Sequence, residues 1–128
     1  MKEKYKVWMK EHAQEYVEDL RYLVSIPSVS VQQPEDREAP FGEPCARVLK
    51  AMLTLGEKYG FETNNYGNRV GRIIYKEENG EDIGVWNHLD VVPPGPGWLQ
   101  DPYTLQEKEG WLIGRGVTDN KGPALASL

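Results

Sequence analysis

The apolar residues of this chain change their spacing at Gly60, and that change constrains the fold more than any other feature. Before it they recur every three to four positions. After it they fall in short, partly alternating runs. The first spacing lines one face of a helix, and the second lines one face of a strand. Residues 3–25 therefore read as an amphipathic helix, with Tyr5, Trp8, Met9, His12, Tyr16, Leu20, Leu23 and Val24 on its stripe and Pro27 as its stop. Residues 28–41 hold Pro34 and Pro40 among serine and charge, with no period, and read as a loop. A second helix is expected from about Glu43 to Tyr59. Pro44 suits its first turn, Cys45, Val48, Leu49, Met52, Leu55 and Tyr59 form its stripe, and Gly60 ends it.

Beyond Gly60, Phe61 to Tyr66 and Val70 to Tyr75 read as strands joined by the turn chemistry of Asn64, Asn65, Gly67 and Asn68. Asn79-Gly80, within Glu77 to Asp82, is a hairpin signal. Ile83 to His88 is a short, largely apolar run, expected to form a strand of a sheet covered on both faces. Pro93, Pro94, Gly95, Pro96 and Gly97 forbid regular structure, so His88 and Asp90 fall where a strand enters a loop. In open α/β sheets, ligands gather beyond the carboxyl ends of strands. A further hairpin pairs Tyr103–Glu107 with Trp111–Gly114, and a third helix starts at Lys121. The order predicts an α/β fold, with a central mixed sheet and helices on its faces.

Other function classes are narrowed by composition. A chain of 128 residues is one domain or part of one. A net charge of −5 without a basic stripe argues against nucleic acid as a partner. Cys45 is the single cysteine, so no internal disulfide forms, and a small packed side chain is the expectation for it. The N-terminus lacks the apolar core of a signal peptide, and no run approaches the roughly 20 apolar residues of a membrane span. The default location is a reducing cytoplasm, with no membrane partner.

Two side chains carry the chemistry. His88-x-Asp90 is weak on its own, because a hydrogen-bonded histidine at a strand end explains it. It gains weight because a metal-bound histidine commonly gives its other ring N–H to a carboxylate. Asp119 follows the turn Gly114-Arg115-Gly116 and precedes Lys121-Gly122-Pro123. An N-cap for the last helix is the plain alternative for it. The two glycines suggest a phosphate loop only faintly, since neither Gly-x-Gly-x-x-Gly nor Gly-Lys-Ser/Thr is present. His12, on the first helix stripe, reads as a packing or surface-edge histidine.

The run Asn87-His88-Leu89-Asp90-Val91-Val92-Pro93-Pro94-Gly95, then Gly97-Trp98, Asp101-Pro102-Tyr103 and Gly114-Arg115-Gly116-Val117-Thr118-Asp119-Asn120-Lys121-Gly122-Pro123, resembles the M20 family of metallopeptidases. It is most similar to the dipeptidase branch, with its PepV-like and carnosinase-like enzymes. Ile26-Pro27-Ser28-Val29-Ser30 and the two helices fit the family's N-terminus. The resemblance implies that residues 1–128 are the N-terminal portion of a three-layer α/β/α, zinc-exopeptidase-like catalytic domain, with the rest and an inserted lid domain absent. It implies two divalent metal ions, zinc first and manganese or cobalt as alternatives. His88 would bind one ion, Asp119 would bridge both, and Asp90 would hold His88 and count as catalytic. A cis peptide is expected at Asp119–Asn120. The implied reaction is hydrolysis of a dipeptide by a metal-activated water. The general base and remaining ligands would lie further along, so the isolated chain is expected to be inactive and to bind metal weakly or not at all. Rival readings are an N-acyl amino-acid deacylase such as a desuccinylase, and a non-catalytic truncated domain that self-associates as a homo-oligomer. Asn87 stands where the family usually has glycine. Trp111 replaces a smaller residue and is expected to pack.

Overall fold

The computed structural model describes residues 2–76 and 80–128. Helix α1 spans Lys2–Val24 and α2 spans Glu43–Lys58. Strands β1 (Glu62–Tyr66) and β2 (Val70–Ile74) form an antiparallel hairpin, with Glu62 opposite Ile74 and Tyr66 opposite Val70. Strands β3 (Gln106–Lys108) and β4 (Trp111–Ile113) form a second, shorter one. A single π-helical turn, Val117–Lys121, runs into the short helix α3, Gly122–Ala126.

Helix α2 follows its sequence signals closely. Gly42 precedes it at φ 92°, Pro44 sits in its first turn, and Gly60 leaves it at φ 85°. Its inner face buries Val48, Ala51, Met52, Leu53 and Leu55. The β1–β2 hairpin lies on α2 where glycines permit close approach. A Cβ on Gly71 would come within 2.7 Å of Leu49 Cδ1, and one on Gly56 within 3.0 Å of Ile73 Cγ2.

Helix α1 departs from its expected stripe. Leu20, Leu23 and Val24 are buried, but Tyr5, Trp8 and Met9 are exposed. Periodicity marks which side chains share a face, not how far along the helix a neighbour reaches. Only the last turns of α1 meet α2, the π-helical turn and α3. There Leu20, Leu23, Val24 and Ile26 pack with Val48, Met52, Leu55, Leu105, Ala124 and Leu125 into one core. Arg21 fastens this end by donating from Nη1 to the Leu105 carbonyl at 2.6 Å. Lys58 at the end of α2 meets Asp19 at 3.0 Å and Glu15 at 3.1 Å across the helix pair.

The sheet expectation needs correcting. The α/β composition holds, but the described residues form two separate two-stranded antiparallel sheets rather than one mixed sheet. Ile83 to His88 is not a covered strand: it lies in no ladder, and Ile83 and Trp86 are each 88% exposed. A strand apolar on both faces needs neighbours on both edges as well as covering helices. Among the described residues the nearest pairing is an isolated parallel bridge, Val29 with Val91. Trp111 does not pack either, being 73% exposed on the outer face of β4. The hairpin expected at Asn79-Gly80 lies outside the described residues.

Candidate metal centre

Three anchors bring the ends of the site together. The first is Ser28, fully buried after the α1 terminus. Its carbonyl accepts the Val91 N–H at 2.9 Å, and its hydroxyl donates to the Leu89 carbonyl at 2.8 Å. These bonds fix residues 89–91 against the core, so Asp90 sits within the anchored stretch and His88 directly before it. Ser28 stood in a segment singled out in the sequence, yet nothing in the letters marked its hydroxyl as the anchor.

The second anchor is Gly116, at φ 91°. A Cβ there would lie 2.9 Å from Val91 Cγ1 and 3.1 Å from Lys121 Cδ. Glycine is thus required both by the backbone angle and by the close approach of residue 91. The turn after it delivers Asp119 to the front of residues 88–90.

Lys121 is the third, and it was missed entirely. A lysine beside Gly122-Pro123 reads as solvent-facing, because unpaired lysine is almost never fully buried. Here it is completely enclosed, and Nζ donates to the carbonyls of Leu23 at 2.9 Å and Ile26 at 2.7 Å. Burial pulls its ammonium down to about 8, with a small opposing contribution from Cys45. The lysine satisfies carbonyls at the end of α1, where a cation also suits the helix dipole.

On this frame the two sequence candidates meet. His88 Nε2 lies 2.9 Å from Asp119 Oδ1. The other ring nitrogen, Nδ1, faces Asp90, 3.1 Å from its carbonyl and 3.2 Å from Oδ1. Desolvation lowers the His88 pKa, but Asp119 and then Asp90 outweigh it and the net shift is upward. The peptide Asp119–Asn120 is cis, as expected. The residue at the N-cap of α3 is Lys121, and no side-chain cap bond is made there. The N-cap reading of Asp119 therefore fails, because its carboxylate points to His88 instead. The side chains of His88 and Asp119 are 51% and 82% exposed, so their contact adds little to stability. An open, solvent-facing pair held by buried anchors is arranged for something other than packing.

A cation fits this pair in part. Two ligands each roughly 2.0–2.2 Å from a shared zinc ion must lie within about 4 Å of one another, and these do. An imidazole and a carboxylate are donors that zinc, manganese and cobalt all accept. However, among the described residues no group of three or more His, Cys, Asp or Glu side chains gathers around a common point. Zinc ordinarily takes three or four protein ligands, so the chain supplies a fraction of a centre.

Neighbouring groups complete the picture. Trp98 Nε1 and Arg115 Nη2 both donate to the Pro94 carbonyl, at 2.9 and 3.1 Å, and the guanidinium lies 5.5 Å from the Trp98 ring centre. This ties down the proline-rich loop that follows Asp90. His12 stacks on Trp8 and bonds its carbonyl at 2.8 Å, a surface role with a neighbour on its own helix. Cys45 is half-buried, with Sγ 3.5 Å from the Ser28 carbonyl. Burial and then the Asp90 charge raise its thiol pKa, partly offset by Lys121. Since the thiolate is the nucleophile, iodoacetamide at neutral pH is expected to alkylate Cys45 several-fold more slowly than in urea-unfolded chain. Equal rates by mass spectrometry would remove any protective role for its surroundings.

Comparisons with known proteins show what the chain is similar to. The model of Peptidase family M20/M25/M40 matches residues 84–128, the span that holds His88, Asp90 and Asp119. The putative dipeptidase YtjP of Bacillus subtilis (strain 168) is 39% identical over 116 residues, covering 90% of this chain and 25% of its own length. The β-Ala-Xaa dipeptidase of Lactobacillus delbrueckii subsp. lactis is 33% identical over 112 residues, covering 87% and 24%. The crystal structure of human carnosine dipeptidase 1 superposes with a TM-score of 0.78 at 30% identity, covering 98% of this chain and 29% of that one. The chain spans about a quarter of the length of the curated relatives it matches. No helix among the described residues is long and apolar enough to cross a membrane. On these matches the chain is similar to dipeptidases of the M20 family over about a quarter of their length.

Proposed function

We infer that this chain carries one side of a dipeptidase metal centre, in which His88 and Asp119 hold divalent cations and Asp90 orients His88. The observation that supports this most is the His88 Nε2 to Asp119 Oδ1 approach at 2.9 Å, with Asp90 on the opposite ring nitrogen. With Nδ1–H donating to Asp90, the Nε2 lone pair would face the Asp119 carboxylate, and a cation would be held between the two. Asp119, with a largely exposed carboxylate, keeps its second oxygen free to face a further ion. When bound, the metal ions would polarise the scissile carbonyl and lower the pKa of an attacking water.

The chain's own contribution is to place these donors and to hold the histidine tautomer. The base that takes the water's proton, the remaining ligands and the rest of a three-layer α/β/α domain are assigned to sequence that the much longer relatives possess. The substrate is a dipeptide, as the names of those relatives suggest. The isolated 128-residue chain is inactive on this reading.

Calorimetric titration with Zn²⁺ tests the ligand assignment. Binding by the isolated chain is expected to be weak, because two donors fall short of zinc's usual set, and to disappear in both His88→Ala and Asp119→Ala. Zinc binding that persists undiminished in both variants would refute the assignment.

A further inference from the structure

Beside the His88–Asp119 pair runs a second, uncharged connection. Asn120 Nδ2 donates to Asn87 Oδ1 at 3.0 Å, and Asn87 Nδ2 donates to Ser127 Oγ at 3.0 Å. The Ser127 hydroxyl in turn donates to the Ala124 carbonyl at 2.7 Å. All three bonds run in one direction, so each carboxamide and hydroxyl uses donor and acceptor consistently. Two consecutive residues, 87 and 88, thereby grip two consecutive residues, 119 and 120.

The backbone approaching His88 shows why this matters. Segment 83–88 lies in no ladder. Among the described residues, its hydrogen bonds to other elements come from the side chains of Asn87 and His88. The His88–Asp119 contact cannot serve as a tie once both atoms turn to a cation. The carboxamide bond is independent of the cation and still joins the two segments.

We propose that Asn87 is a positioning residue of the metal centre, whose carboxamide clasps Asn120 and Ser127 and so holds His88 Nε2 opposite the Asp119 carboxylate. The proposal rests on the reading that His88 and Asp119 receive a divalent cation. Asn87 acts through its neighbours and does not itself face the reacting groups.

The test uses the metal-free 128-residue chain and then the same chain with Co²⁺. Long-range proton–nitrogen correlation spectra report the ring nitrogens of His88, with His12, which stacks on Trp8 and bonds its carbonyl, as an internal control. Asn87→Ala and Asn120→Ala are each expected to move the His88 signals toward those of a free imidazole while leaving His12 in place. Asn87→Asp keeps an acceptor for Asn120 and is expected to restore part of the change. Co²⁺ affinity, followed by visible absorbance, is expected to fall roughly 2- to 10-fold in Asn87→Ala, the loss suited to one neutral hydrogen bond. Unchanged His88 signals in both alanine variants overturn the proposal. Uptake of Co²⁺ that requires His88 but is indifferent to Asn87→Ala also overturns it, and leaves the metal assignment intact. Shifted His88 signals in a chain that takes up no Co²⁺ instead sink the metal assignment and leave the His88 clasp standing.

Discussion

Lys121→Ala is expected to lower the unfolding free energy by about 3 kcal/mol, within the roughly 2–5 kcal/mol found when a long buried side chain is cut to alanine. The truncation leaves a cavity beside the core and removes both donors from the Leu23 and Ile26 carbonyls. Those carbonyls are not wholly abandoned, since Leu23 O also accepts the Ile26 N–H and Ile26 O the Ser28 N–H. Lys121→Met separates the two contributions. Methionine keeps most of the volume and carries no buried charge, so it escapes the desolvation that depresses the lysine. Its expected cost is about 1 kcal/mol, from hydrogen bonds alone. Urea denaturation followed by circular dichroism measures both. Equal losses in the two variants would mean that volume plays no part and that the carbonyl bonds carry the whole effect.

Gly122→Ala is expected to cost at least about 3 kcal/mol, at the upper end for overpacking, because the obstruction is main chain rather than a flexible side chain. A Cβ at this position would lie 2.1 Å from the Val117 carbonyl oxygen, 3.2 Å from its carbon and 3.3 Å from Tyr16 Oη. The π-helical turn must open to admit it, which displaces Asp119 from His88 and strains the Tyr16 hydroxyl bond to the Gly122 carbonyl. Gly60→Ala provides the contrast. It has the same left-handed φ problem as other loop glycines but open space around it, so about 1 kcal/mol is expected. A Gly122→Ala protein as stable as the parent, with His88 ring signals unmoved, would contradict the packing described for the turn.

How far the letters anticipated the molecule depends on which forces were local. Helix α2 was legible to within a residue, because Pro44, Gly60 and an uninterrupted apolar stripe all act within a few positions of themselves. The β1–β2 hairpin was legible for the same reason, whereas the first strand of the second, expected at Tyr103–Glu107, is found at Gln106–Lys108. His88 and Asp119 were legible as a pair only through motif order, since no local rule joins residues so distant. Lys121 and Ser28 were not legible, because their roles are set by carbonyls at the far end of another element. The covered strand at Ile83–His88 was misjudged because apolar character reports a wish for cover, while cover itself must come from chain elsewhere. The N-terminal half of α1 failed in the same way.

The lysine that closes the end of α1 lies 98 positions from Leu23. During synthesis, therefore, the first helix emerges long before the residue that finishes it, and the Leu23 and Ile26 carbonyls lack their lysine donor until residue 121 leaves the ribosome. Contacts of such long sequence separation form slowly and late. Asp119 rides on the same returning stretch, two residues before Lys121, so its approach to His88 is timed with the sealing of the core.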